Sequence, residues 1–227
     1  MLSKVRILCG QTAPNEMVTK DLLKSLKSCL KKEVKDGNSP LHSLTIDFHG
    51  RPLNFLDNLE IEPPCLLRSL KLCGKLTRLP RFILPLSDSL EELCLSETNL
   101  GGRDLLELRH LKKLQFLKLT GDFFEFEQLT FEPHWFCTLQ RLCFDVPKVP
   151  KIVLKENDME GLESLQLVCN ELGGVSGILN LKQLKEVMLS TRVSGAGADD
   201  LLKQVSKHSM KPKLLYADGS SRHMLLQ

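Results

Sequence analysis

Residues 67–95 read LRSLKLCGKLTRLPRFILPLSDSLEELCL, opening with Leu67-x-x-Leu70-x-Leu72 and closing with Leu90-x-x-Leu93-x-Leu95. The second copy starts 23 residues after the first. On a short strand, alternate side chains share a face, so Leu70 and Leu72 point inward together. Leu67 turns the corner before that strand, and Leu76 and Leu79 point inward from the return path. One such coil cannot cover its own apolar side, whereas stacked coils bury a continuous core between them.

The same comb recurs along the chain. It stands at Leu41-x-x-Leu44-x-Ile46, Leu114-x-x-Leu117-x-Leu119, Leu139-x-x-Leu142-x-Phe144, Leu162-x-x-Leu165-x-Leu167 and Leu184-x-x-Val187-x-Leu189. A copy also occurs at Leu2-x-x-Val5-x-Ile7. From Leu44 to Val187 the central positions are 22 to 26 residues apart, within the roughly 20–29 residues of a leucine-rich repeat. The expected fold is therefore an α/β leucine-rich-repeat solenoid. About eight short parallel strands would form its concave face, with irregular turns and a few short helices on the convex face. Residues 1–227 read as a single domain: a long first repeat over 1–40, regular repeats over 41–190, and a C-terminal helix and tail over 191–227. A comb beginning at residue 2 without a polar cap suggests an array continuing upstream.

Between the combs the signals vary. Residues 16–33 place Leu22, Leu23, Leu26, Cys29 and Leu30 on one helical stripe, with Lys20, Lys24, Lys27 and Lys31 around the other side. Thr19 is the expected cap at its start, and Gly37 lies beyond its end. Without aromatic residues among them, those lysines read as a solvated face. Pro80 and Pro85 deny the backbone donors a long helix would need, which predicts short turns. Leu105, Leu106, Leu108 and Leu111 predict a short helix, and Pro147 and Pro150 predict extended chain over 145–154. After Leu189 the array is expected to end. A helix over 198–209 follows, with Leu201, Leu202 and Val205 inward, Asp199 and Asp200 at its positive end, and Lys207 and His208 at its negative end. Residues 211–216 could add an extended piece, and the tail 218–227 is expected to fray.

Composition narrows the function. With 31 Lys and Arg against 28 Asp and Glu, the net charge is +3, too small to suggest nucleic acid or an anionic membrane as partner. The eight cysteines form no CxxC pair. Lys4 and Arg6 interrupt the only early apolar run, so no secretory signal is read and reduced cysteines are expected. No apolar run approaches the ~20 residues of a membrane span; the expected location is the cytoplasm. The histidines lack HExxH and zinc-finger spacing. Gly195-Ala-Gly197 lacks the third glycine of a dinucleotide loop and reads as turn chemistry, and no GxxxxGK[ST] occurs. These readings predict no catalytic residue, no cofactor and no metal ligand.

What remains is the outward column of each strand, because strand neighbours alternate sides. It offers Thr45, Asp47, Lys71, Glu92, Cys94, Phe116, Lys118, Arg141, Cys143, Asp145, Gln166, Glu186 and Met188 as candidate binding residues. Both signs of charge mingle with Phe116, Met188 and Val168, a mixture suited to protein rather than to a uniformly basic phosphate track. Lys118→Glu and Phe116→Ala are expected to alter partner binding without disturbing the fold.

Leu70-Lys-Leu72-Cys73-Gly-Lys-Leu76-Thr-Arg-Leu79-Pro80-Arg-Phe-Ile83 resembles the repeats of plant nucleotide-binding leucine-rich-repeat disease resistance proteins, particularly the coiled-coil class of grasses. Leu93-Cys-Leu95-Ser96, Gly121…Leu129-Thr-Phe131…Phe136, Met159-Glu-Gly-Leu162-Glu and Ser176-Gly177-Ile178-Leu-Asn-Leu181-Lys-Gln-Leu184-Lys-Glu-Val187 extend the resemblance along the chain. The extracellular receptor-kinase pattern N-x-L-x-G-x-I-P has one echo, Asn99-Leu-Gly. The resemblance implies repeats that detect a pathogen effector or host protein and restrain a nucleotide-binding module, in cis or in trans. That module and the coiled-coil domain are not in this sequence, so nucleotide binding is not carried over. The other reading is a general intracellular scaffold or ubiquitin-ligase adaptor.

Overall fold

Each leucine comb from Leu41 to Leu189 folds into a short strand whose alternate residues are buried, whereas Val5 and Ile7 of the first comb are half-buried. The computed structural model describes residues 3–9, 16–30, 41–61, 65–121, 127–193 and 195–217, in two compact units comprising residues 1–114 and 115–227. In the first unit, strands β1 (Lys4–Leu8), β2 (Ser43–Pro52), β3 (Ser69–Lys75) and β4 (Glu92–Ser96) run parallel in chain order. The register places Leu44 beside Leu70 and Leu70 beside Leu93, with Ile46, Leu72 and Leu95 forming the next layer. All six are buried.

A recurring hydrogen bond keeps the coils in register. In most combs, the carbonyl of the residue after the first leucine accepts two N–H groups from the next coil. The His42 carbonyl takes Arg68 and Ser69, and the Arg68 carbonyl takes Glu91 and Glu92. In the second unit Gln115, Gln140 and Glu163 do the same for the coils that follow them. The strand-opening corner, whose backbone would otherwise be buried without partners, is thereby satisfied.

The first outer segment is helix α1 (Glu16–Leu30). Leu26 and Leu30 are buried, as expected, but Cys29 is exposed and Thr19 lies within the helix rather than capping it. Lys31, residues 32–33 and Gly37 fall outside the described residues. The prolines act as their chemistry predicts: Pro85 sits in a 3-10 turn, Arg81–Leu86, that buries Phe82, Ile83 and Leu86. Helix α2 (Gly102–Glu107) continues into a 3-10 turn at Leu108–His110. Asp104 ties α2 to the coil before it, accepting the Leu79 N–H at 2.9 Å and the Gly101 N–H at 3.1 Å.

The second unit contains β5 (Phe116–Thr120), β6 (Gln128–Thr130), β7 (Arg141–Asp145), β8 (Lys148–Val149), β9 (Lys151–Val153), β10 (Ser164–Val168), β11 (Glu171–Leu172), β12 (Val175–Ser176), β13 (Glu186–Ser190), helix α3 (Ala196–Lys207) and β14 (Lys213–Ala217). Strands β5, β7, β10, β13 and β14 are successive parallel neighbours. The array therefore does not end at Leu189. Residues 213–217 pair with β13 along its length, Leu214 beside Val187 and Tyr216 beside Leu189. Lys211 stands at the corner that leucine holds elsewhere, and Pro212 next to it is buried.

The stretch around Pro147 and Pro150 is extended, as expected, and it is also paired. Strands β6, β9 and β12 form one small parallel sheet, and β8 and β11 another. The Pro147 carbonyl accepts the N–H groups of Asn170 and Glu171, so the residue that cannot donate still anchors the next coil. Helix α3 starts at Ala196, two residues earlier than expected, and buries Ala198, Leu201 and Val205.

Two glycines are dictated by close approach. At Gly197 a Cβ would lie 2.2 Å from the Leu172 carbonyl oxygen, so α3 rests directly on the backbone of the preceding coil. At Gly177, where φ is +83°, a Cβ would lie 1.9 Å from the Leu154 oxygen. Gly177→Ala is expected to cost about 1–3 kcal/mol from backbone strain alone, read as a lower urea midpoint; an unchanged midpoint would contradict this packing.

Asp158 is fully buried. Its Oδ2 accepts the Lys155 N–H at 2.5 Å, while Oδ1 has no hydrogen-bond partner among the described residues. Burial, the largest cause, raises its carboxyl above the ordinary range despite that hydrogen bond. A raised folded-state pKa means the native state holds the proton more tightly than the unfolded chain. Asp158 thus costs nothing at low pH and an increasing amount as pH rises past the ordinary carboxylate value. Asp158→Asn should gain relative to wild type between pH 4 and pH 7 in denaturation midpoints. A constant difference would show that the carboxyl is not the titrating cost.

Candidate protein-recognition face

In the first unit the outward residues line up by register. Thr45 lies beside Lys71 and Lys71 beside Cys94; Ser69 lies beside Glu92, and Asp47 beside Cys73. Thr45, Asp47, Lys71 and Glu92 are half-buried, whereas Cys94 is buried, so it floors the face instead of projecting from it. Asp47 Oδ1 accepts the His49 N–H at 3.0 Å and lies 3.4 Å from His49 Nδ1. The Cys73 thiol is pushed up to about 12, chiefly by burial and then by Asp47 and Glu97. Burial pushes Cys169 up to about 11. Both remain protonated at neutral pH and are poor nucleophiles. Iodoacetamide should label exposed Cys29 and Cys137 in the native protein before Cys73 or Cys169; rapid labelling of Cys73 would contradict this environment. None of the eight cysteines is in a disulfide.

The second unit carries the larger share of the candidate residues. The Arg141 guanidinium lies 4.8 Å from the Phe116 ring centroid, a cation–π stack between adjacent strands. Beside it, Lys118 Nζ is 3.6 Å from Asp145 Oδ2, and each side chain is only 12% exposed. This placement corrects the expectation that Lys118→Glu spares the fold, since it would set two carboxylates together in a mostly dry position. Cys143, between Lys118 and Gln166 in register, is buried like Cys94. Glu186 Oε1 accepts the hydroxyl of buried Ser164 at 2.6 Å, and Gln166 Nε2 donates to the Ser164 hydroxyl oxygen at 3.4 Å. Phe116, Met188 and Val168 are half-buried.

Strand β14 extends this face with Lys213, Leu215 and Ala217, in register with Glu186, Met188 and Ser190. These residues are absent from the candidates named from sequence. Their signal was present in weakened form: Lys211-x-x-Leu214-x-Tyr216 is the comb with lysine and tyrosine in two leucine slots. Among the described residues, no group of three or more His, Cys, Asp or Glu side chains could hold a metal ion, and no helix is long and apolar enough to cross a membrane.

Parallel strands joined by leucine-lined coils are the geometry of one repeat class, and the model of the leucine-rich repeat region matches residues 1–212. The chain belongs to the leucine-rich-repeat family. Its repeats are similar to those of plant disease resistance proteins. Two rice (Oryza sativa subsp. japonica) proteins, each described as disease resistance protein RGA4, are 34% identical over 216 and 218 residues, or 94% of this chain. Rice disease resistance protein Pik-2 is 30% identical over 206 residues, 81% of this chain. The leucine-rich-repeat chain spans about a fifth of the length of these relatives, 21% of each RGA4 protein and 20% of Pik-2. The match to the family stops at Lys211-Pro212, just short of β14.

Proposed function

We propose that this leucine-rich-repeat region is a non-catalytic recognition and autoregulatory element of an intracellular plant immune receptor, acting in the cytoplasm in defence against pathogens. The observation that carries the reading is similarity to disease resistance proteins along 94% of the chain. The strand face supports it: charged and half-buried apolar side chains alternate with a leucine core, the arrangement of an extended protein-binding surface. Its partners are a pathogen effector or host protein and the nucleotide-binding module of a resistance receptor, in cis or in trans. The chain itself takes no cofactor and turns over no substrate.

Co-precipitation of the tagged chain from plant cells tests this. Recovery of a resistance-receptor nucleotide-binding module, reduced by Phe116→Ala, supports the reading. Recovery of a ubiquitin-ligase core component in its place would overturn it in favour of an adaptor.

A further inference from the structure

Within the first unit, strand register gathers cations around short hydroxyl side chains. On the outward face Arg6, Thr45 and Lys71 lie side by side on β1, β2 and β3, and Lys4, Ser43 and Ser69 form the row before them. Strand β2 thus floors a trough with Ser43 and Thr45, walled by Lys4 and Arg6 from β1 and by Ser69 and Lys71 from β3. The walls are two strand steps apart, roughly 10 Å at about 4.8 Å per step. Lys4 and Arg6 are exposed and Lys71 is half-buried. Among the described residues, none of these cations has a carboxylate within ion-pair distance, and the hydroxyls of Ser43, Thr45 and Ser69 make no hydrogen bond. Comparison with the second unit explains the unpaired lysine. Lys118 is neutralised by Asp145, two residues beyond its register partner Cys143. Two residues beyond Cys94, the register partner of Lys71, stands uncharged Ser96. The equivalent place for Arg6 holds Asp47, which is engaged by His49 instead. Glu92 lies beyond the β3 wall, beside Ser69. The trough is therefore positive, although the whole chain is nearly neutral.

From this arrangement we infer that β1, β2 and β3 bind a phosphorylated serine or threonine of a partner protein, its phosphate seated over Thr45 between Arg6 and Lys71. A phosphate monoester carries about two negative charges near neutral pH, and it presents three strong acceptor oxygens. The trough supplies a donor for each. The planar Arg6 fork comes from one side, the Lys71 ammonium from the other, and the Thr45 hydroxyl from beneath. A carboxylate has a single charge and two oxygens, and would leave one of those donors unmet. Lys4, beside Ser43, adds attraction from the neighbouring row. Charge complementarity of this kind selects the partner and speeds its arrival. This inference rests on the recognition reading above and names the modification carried by the partner segment.

Retention of fluorescein-labelled nonapeptide pools on the immobilised whole chain tests it, the pools being degenerate except for a central phosphothreonine, threonine or glutamate. The phosphothreonine pool should be retained about tenfold or more above the other two. Arg6→Gln and Lys71→Gln should each lower its retention by about tenfold, and Thr45→Val by about fivefold. Lys182→Gln, on an exposed turn before β13, should leave it unchanged. Thermal melts confirm folding, and if Lys71→Gln proves unstable, Arg6→Gln on the exposed wall supplies the same comparison. Equal retention of the glutamate pool, or no effect of the Arg6 and Lys71 changes, would overturn the inference. So would release of the bound pool by micromolar inorganic phosphate, which would make a free anion the occupant. If no pool is retained while capture in plant cells still depends on Phe116, the phosphate assignment is wrong and recognition by the strand face stands; if both fail, the recognition reading falls too.

Discussion

Leu117→Ala is expected to lower the unfolding free energy by about 2–5 kcal/mol, the usual scale for truncating a buried leucine. Leu117 is 3% exposed on β5 and sits beside Leu142, and Leu142 sits beside Leu165 in the same layer. Removing its isobutyl group opens a hole against neighbours fixed by backbone pairing, so the layer cannot simply collapse around it. In a stacked array the loss is felt mainly by adjacent coils, because each repeat contacts only its neighbours. Urea denaturation should show a lower midpoint, and hydrogen exchange should show loosened protection in β5 and β7 first. A change below 1 kcal/mol would mean that this layer is not a packed core.

Lys118→Glu is expected to be nearly as damaging, costing on the order of 3 kcal/mol, although it lies on the outward column. The wild-type pair with Asp145 is largely shielded from water. Reversing one charge removes the attraction and leaves two carboxylates to repel in a site that solvates neither well. Adding Asp145→Lys to Lys118→Glu recreates a pair with the charges exchanged and should recover much of the loss. Urea midpoints for the two single variants and the double variant measure this. Strict additivity, with the double variant as poor as the sum of the singles, would show that the two side chains do not interact.

These two positions show what could be read from the chain in advance. Leu117 was legible because burial on a strand imposes a period of two, and a repeat imposes the same period again about two dozen residues later. Every comb named from sequence from Leu41 to Leu189 proved to be a buried strand. Lys118 was legible as an outward residue but not as a half-sealed one, because its partner Asp145 is 27 positions away in sequence and meets it only through strand register. Cys94 and Cys143 failed for a related reason: a short side chain flanked by longer ones on adjacent strands is covered even when it points outward. Strand β14 was obscured by Lys211 and Tyr216 in leucine slots. The small sheets β6–β9–β12 and β8–β11 were hidden because two- and three-residue strands carry too little pattern to announce themselves.

Most of this account depends on one division, with leucines holding the coils together and the residues between them meeting the partner. A substitution scan of β5, β7, β10 and β13, with cellular abundance and partner capture read from the same library, tests it most directly. The account predicts a two-residue alternation: changes at Leu117, Leu142, Leu165 and Val187 lower abundance, while changes at Phe116, Arg141, Gln166 and Met188 lower capture at normal abundance. Capture lost through β6, β9 and β12 while the strand face tolerates every change would contradict it.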